Sequence, residues 1–149
     1  YCLIDIKDFF VYNDKHGMEK GDEVLKTLGK TIKENIRAND TAVRIGGDEF
    51  VILLSNARGR ESLHTIERIK EEMRSHDIYL HAGVADYHTL AKKEPSISYE
   101  DIHNYADDAL RHSKHTGKTQ SKKSLGLLGY LKGLVSSYKK RNLRARASH

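Results

Sequence analysis

Arg44-Ile45-Gly46-Gly47-Asp48-Glu49-Phe50-Val51-Ile52-Leu53-Leu54 is the stretch on which the fold turns. One β-type run, Thr41 to Ile45, enters a Gly-Gly pair, and a second, Phe50 to Leu54, leaves it. That is the pattern of a β-hairpin. The glycines let the backbone bend with positive φ and leave open space beside the turn. Asp48 and Glu49 put two carboxylates at the tip, and taken alone they read equally as a charged turn facing water.

Upstream, Tyr1-Cys2-Leu3-Ile4 reads as a strand that ends at Asp5, followed by a polar stretch to Asn13-Asp14 and Gly17. Val24, Leu25, Leu28, Ile32 and Ile36 then recur on one helical face between about Gly21 and Ile36. Downstream, Leu63, Ile66, Ile69 and Met73 mark a second amphipathic helix. Tyr79 to Tyr87 reads as a strand, Pro95 as a loop, and Tyr99 to His115 as a third helix with Ile102, Ala106, Ala109 and Leu110 inward. The order β-α-β-β-α-β-α predicts an α+β domain whose mainly antiparallel central sheet is flanked by helices.

The 149 residues are 38% apolar and 32% charged, as in a soluble globular protein, and no apolar run is long enough to cross a bilayer. A single cysteine, Cys2, rules out an internal disulfide framework and points to a reducing, cytoplasmic setting. The opening on a strand already in progress suggests a chain cut from something longer. The formal charge of +5 is unevenly placed. Residues 1–120 carry 18 basic against 21 acidic side chains, and residues 121–149 carry 8 basic and none acidic. The body is therefore mildly acidic, which disfavours a nucleic-acid partner, and the basicity belongs to a tail. In that tail Leu125, Leu128, Leu131, Leu134, Val135 and Tyr138 form a candidate apolar stripe. It suits contact with a membrane surface, or docking on the body or on a preceding part of the protein.

If the first strand pairs beside the hairpin, Asp5 and Asp48 meet at one sheet edge. Carboxylates converging there repel unless a cation lies between them, and hard oxygen ligands suit magnesium or manganese with a triphosphate.

Asp5-Ile6, Phe9, Asn13-Asp14, Gly17, Gly21-Asp22 and Arg44 to Phe50 together resemble the GGDEF family of diguanylate cyclases, over residues 1–120. The resemblance implies a palm-like nucleotidyl cyclase fold and a pair of domains that joins two GTP into cyclic di-GMP. It implies that Asp5, Asp48 and the Ile6 carbonyl hold the metal, with Glu49 as candidate base. It implies Asn13 and Asp22 as guanine readers, Phe9 near the substrate, and Lys114 and Lys118 as phosphate grips. The physics of Asp22 agrees, since guanine N1–H and N2–H₂ both donate to one carboxylate and adenine presents an acceptor at N1. A buried site of that kind rejects the wrong base by roughly 10⁴-fold. Asp22 also fits a helix cap or first-turn acid, and the lysines fit a solvated helix C-terminus. Arg37-x-x-Asp40, with Arg68, matches the family's inhibitory product site; a local ion pair closing a helix is the alternative there.

Three positions depart from the family pattern: Lys7 replaces a second carboxylate, Phe10 a phosphate-contacting lysine, and Met18 a histidine. They weaken the triphosphate grip without removing the metal ligands. The alternative they raise is a degenerate domain that binds GTP or cyclic di-GMP and signals to a partner. The resemblance further implies an upstream sensory domain.

Overall fold

The computed structural model describes residues 1–116, all within the first of two compact units, Tyr1–Thr119. The second unit, Gln120–His149, lies outside the described residues, as do Lys118 and the whole basic tail expected over 121–149.

Four strands, β1 (Cys2–Ile6), β2 (Thr41–Arg44), β3 (Glu49–Leu53) and β4 (Leu80–Val84), form one sheet in the order β2-β3-β1-β4. All three pairings are antiparallel. The helices are α1 (Phe9–His16), α2 (Met18–Asn35), α3 (Gly59–Arg74), α4 (Tyr87–Ala91) and α5 (Tyr99–Thr116). The α+β expectation holds, with two short helices added to the expected order. The polar stretch after β1 is α1, entered through Asp8 in the left-handed region (φ 54°). None of its residues is fully buried, and only Phe9 and Tyr12 pack partly against the core. The other, α4, is only five residues long, and Asp86 caps it by accepting the His88 N–H and the Thr89 hydroxyl.

Side-chain alternation gives the sheet two distinct faces. Cys2, Ile4, Ile6, Phe50, Ile52, Leu80 and Val84 point to one face and pack with Val24, Leu25, Leu28 and Ile32 of α2 and Ile66, Ile69 and Met73 of α3. The opposite face carries Leu3, Asp5, Val51 and Gly83, and α5 lies across it. This helix starts at Ser98, which accepts the Asp101 N–H while its own N–H donates to the Asp101 carboxylate. That is the reciprocal capping arrangement. It buries Tyr105, Ala106, Ala109, Leu110 and Ser113.

Gly83 sets how closely α5 approaches. A methyl group there would sit 2.0 Å from the Ala106 carbonyl oxygen and 2.4 Å from the Leu110 backbone nitrogen. Backbone cannot step aside as a side chain can, so Gly83→Ala must lift α5 from the sheet. We expect it to cost about 3 kcal/mol, read as a lowered urea midpoint, the upper range for overpacking.

Candidate active site

The hairpin turn is built differently from the expectation. Among the described residues Gly17 is the one glycine with positive φ (86°), so neither Gly46 nor Gly47 uses that freedom. Instead the Arg44 side chain folds back over the turn, its Nε donating to the Gly46 and Gly47 carbonyls at 3.1 Å and an Nη to Gly47 at 2.6 Å. The Ile45 N–H closes the loop onto the Glu49 carbonyl at 2.9 Å. A Cβ on Gly47 would meet nothing within 4 Å, so the space beside the tip is open.

In the sheet register Asp5 stands opposite Glu49 on one side and His81 on the other. Directly opposed residues of antiparallel strands share a face. Glu49, Asp5 and His81 therefore form a row on the α5 face. Asp48, half-buried, follows at the strand's mouth, and its carboxyl is pushed above the ordinary aspartate range, first by burial and then by the negative charge of Asp5. The charge of Asp5 is thus felt at the acidic tip. Lys114, on the last turn of α5, donates to Asp5 Oδ2 at 2.6 Å. Lys114 and Arg44 oppose the upward push on Asp48.

Carboxylates that repel one another in this way suit a hard divalent cation, which would relieve the repulsion. Among the described residues no three His, Cys, Asp or Glu side chains cluster as a complete metal cage. The Ile6 side chain belongs to the core, so a ligand would meet that residue through its backbone.

Asn13, on α1, packs against Gly21 of α2, the residue that precedes Asp22. The Asn13 Oδ1 is shut off from solvent with no hydrogen-bond partner. Asp22 lies in the second turn of a helix that starts at Met18, which removes its reading as a cap or first-turn acid. Its carboxylate is exposed rather than buried. Phe9 packs half-buried against the core, whereas Phe10 is 84% exposed and Met18 70%.

A separate cleft of about 540 Å³ lies between the end of α2, the β2 entry and α3, lined by Arg37, Asp40, Arg60, His64 and Arg68 among others. The Asp40 carboxylate accepts the N–H groups of Arg37 (2.9 Å) and Ser55 (2.7 Å), so it shapes the turn instead of pairing with the Arg37 side chain. Arg68 donates to the Asn35 carbonyl at the end of α2 (2.8 Å). The sequence reading missed Arg60 and His64, which reach the cleft from an exposed helix face without any pattern of their own. It also missed His81, which only the strand register discloses. Burial lowers the His81 pKa first of all, with Asp5 opposing and Lys114, Lys7 and Lys70 assisting. The charge of Lys7 is therefore felt at the same end of the sheet as Asp5.

Residues 1–120 match the family described as diguanylate cyclase, GGDEF domain. A diguanylate cyclase of Vibrio cholerae is 34% identical over 127 residues, covering 80% of this chain and 38% of that protein. Diguanylate cyclase DgcS of Shewanella oneidensis is 33% identical over 116 residues, 78% of this chain and 39% of that protein. The chain thus spans less than half the length of these curated relatives. Among solved structures, the active GGEEF domain of a diguanylate cyclase from Vibrio cholerae aligns with a TM-score of 0.71 at 34% identity, over 78% of this chain and 76% of that one. The GGDEF domain of DgcB from Caulobacter crescentus, in complex with c-di-GMP, gives 0.69 at 26% identity, over 78% and 72%.

The strain at Asp48 has a measurable sign. A carboxyl whose pKa is raised on folding destabilises the folded state once it ionises, and the penalty vanishes when both states are protonated. Asp48→Asn should therefore raise the melting temperature of metal-free protein at pH 7.5, and the gain should disappear as the pH falls below the ordinary aspartate range. Thermal melts at the two pH values check it.

Proposed function

The chain belongs to the GGDEF domain family, and we propose that residues 1–120 form a magnesium- or manganese-dependent diguanylate cyclase domain acting on GTP as a homodimer. The feature that supports this reading is the Asp48 carboxyl, pushed up by burial and then by the charge of Asp5, beside an open hairpin tip and a lysine from α5.

Each domain binds one GTP and so holds half of the reacting pair. Two domains face each other, and the 3′-oxygen of one GTP forms a bond to the α-phosphorus of the other. The bond from that phosphorus to the bridging β-phosphate oxygen breaks. The reciprocal attack closes the ring, giving cyclic di-GMP and two pyrophosphates. Glu49, in the row with Asp5, is the candidate base that takes the 3′-hydroxyl proton. A divalent ion held by Asp5, Asp48 and the Ile6 carbonyl would lower the pKa of that hydroxyl and offset charge on the phosphate. Lys114 neutralises Asp5 while the site is without nucleotide and grips a phosphate oxygen when GTP enters; Lys118 is assigned the same role. Asn13 and Asp22 read the guanine edge, and Phe9 supports them from the core side. Because Asp22 is exposed before the base arrives, base selection depends on the nucleotide itself completing the burial.

Arg37, Asp40 and Arg68 form the inhibitory product site, and Arg60 and His64 extend its positive lining. Planar guanidiniums suit both a phosphodiester and the Hoogsteen edge of guanine. An upstream sensory domain brings two copies together, at the cytoplasmic membrane face if residues 121–149 touch lipid. No described helix is long and apolar enough to cross a membrane.

Incubation of the paired protein with GTP and magnesium should yield cyclic di-GMP, at a rate that falls by about 10³-fold in Asp48→Ala as several kcal/mol of charge stabilisation is lost. Absence of product from the unaltered protein, with Asp48→Ala identical to it, rejects the cyclase assignment. Arg37→Ala should keep the initial rate and weaken cyclic di-GMP inhibition by at least about tenfold, the worth of one charge-assisted contact. Progress curves with added product measure it.

A further inference from the structure

The end of the sheet that carries Asp5 and Asp48 is rimmed by large apolar side chains left in solvent. Phe10 and Val11 lie on the first turn of α1, just beyond the end of β1, and are 84% and 61% exposed. Ile45 leaves β2 at the hairpin turn, its N–H bonded to the Glu49 carbonyl, and its side chain is 51% exposed. Tyr79 leads into β4, accepts the Lys7 N–H on its carbonyl at 2.8 Å, and is likewise 51% exposed. The four residues come from separate parts of the chain. All lie at the one end where β1 and β2 finish and β3 and β4 begin.

None of the four belongs to the hydrophobic core. Large apolar side chains gathered in water mark a contact surface. Phe10 stands where the family pattern carries a lysine, so the apolar character there is this chain's own.

Whatever covers this rim must leave the site working. A foreign protein seated there would shut the site against a second nucleotide, whereas a second copy of this chain brings that nucleotide with it. A two-fold contact has to suit itself, and a face of one charge would repel its own copy. Here Asp48 and Glu49 share the end of the sheet with Lys7 and Arg44, so two copies can set opposite charges against each other. The rim offers apolar area on the order of 400 Å², well below the ~800 Å² that each partner buries in a stable complex. Contact through it is therefore weak and depends on concentration.

We propose that Phe10, Val11, Ile45 and Tyr79 are the surface through which two copies of this chain meet across their nucleotide sites. This rests on the reading that two domains share the reaction, and it adds which side chains make the contact and that the contact is apolar.

Sedimentation equilibrium with a non-hydrolysable GTP analogue and magnesium reads the contact without turnover. The unaltered chain should self-associate, and Phe10→Ser/Val11→Ser should raise the dimer dissociation constant by about tenfold, the loss expected on removing an aromatic anchor. Ile45→Ser/Tyr79→Ser, on different elements, should do the same. Tyr87→Ser, 57% exposed at the opposite end of the sheet, should not. All these side chains are exposed, so the variants should keep the melting temperature, and calorimetry should find their affinity for the analogue unchanged. With GTP, the rate of cyclic di-GMP formation per copy should rise with protein concentration, and both rim variants should move that rise to about tenfold higher concentration. A chain that stays monomeric, or a dissociation constant that the rim variants leave unchanged, overturns the rim. Equal weakening by Tyr87→Ser overturns it as well. Self-association that the rim variants weaken, with no cyclic di-GMP from any chain, leaves the rim standing and overturns the cyclase reading instead.

Discussion

A carboxylate inside the central strand of a sheet has to be compensated, and the compensation of Asp5 organises one end of this molecule. β1 has antiparallel partners on both sides and buries all five of its residues. Asp5 is the single charge among them. Its partner Lys114 comes from 109 positions away, delivered by α5. An isolated buried carboxylate would cost far more than this pair does, because the low-dielectric surroundings that weaken hydration also strengthen the attraction to the lysine. Asp48 shares that compensation only in part, through the charges of Lys114 and Arg44. Its carboxyl rides above the aspartate range, because the same burial and the same Asp5 charge act on it with weaker relief. The fold tolerates this at the hairpin tip, where exposure and Arg44 limit the cost.

Two faces of one sheet divide the labour. The face toward α2 and α3 is apolar over β1, β3 and β4 and supplies the core. The face toward α5 mixes Leu3, Val51 and Gly83 with the row of Glu49, Asp5 and His81. Gly83 joins the two roles, since the close approach of α5 that it permits is what brings Lys114 over the strand end. A change made for packing at Gly83 would therefore be felt as an electrostatic change at Asp5. The α1–α2 corner repeats the device on a smaller scale, with Gly21 admitting the Asn13 amide.

The hairpin was legible because two β-type runs flank a Gly-Gly pair, and the long helices because apolar residues recur with a period near 3.6, as in Val24, Leu25, Leu28 and Ile32. Boundaries shifted by a few residues, as at Met18 rather than Gly21, where no capping side chain marks the start. The short α1 escaped because it buries no side chain fully, and α4 because one turn and a half leaves no period to count. Positive φ was expected at Gly46 and Gly47 from residue type alone, whereas the Arg44 side chain holds the turn without it. Within the candidate site, the place of Asp5 beside the hairpin was legible from strand order. The link between Lys114 and Asp5 was not, since nothing local in the sequence relates residues so far apart. His81 became visible only with the register, and Arg60 and His64 only with the cleft.

The central claim is that Asp5 and Asp48 hold one divalent ion between them when GTP is bound. Electron paramagnetic resonance of manganese titrated into the protein with a non-hydrolysable GTP analogue tests it directly. Asp5→Asn and Asp48→Asn should each weaken protein-bound manganese strongly, and the double substitution should add little, as expected for two ligands of one ion. Unchanged manganese binding in either single substitution, or losses that simply add, would contradict a shared ion and leave the two carboxylates as unrelated charges at the end of a sheet.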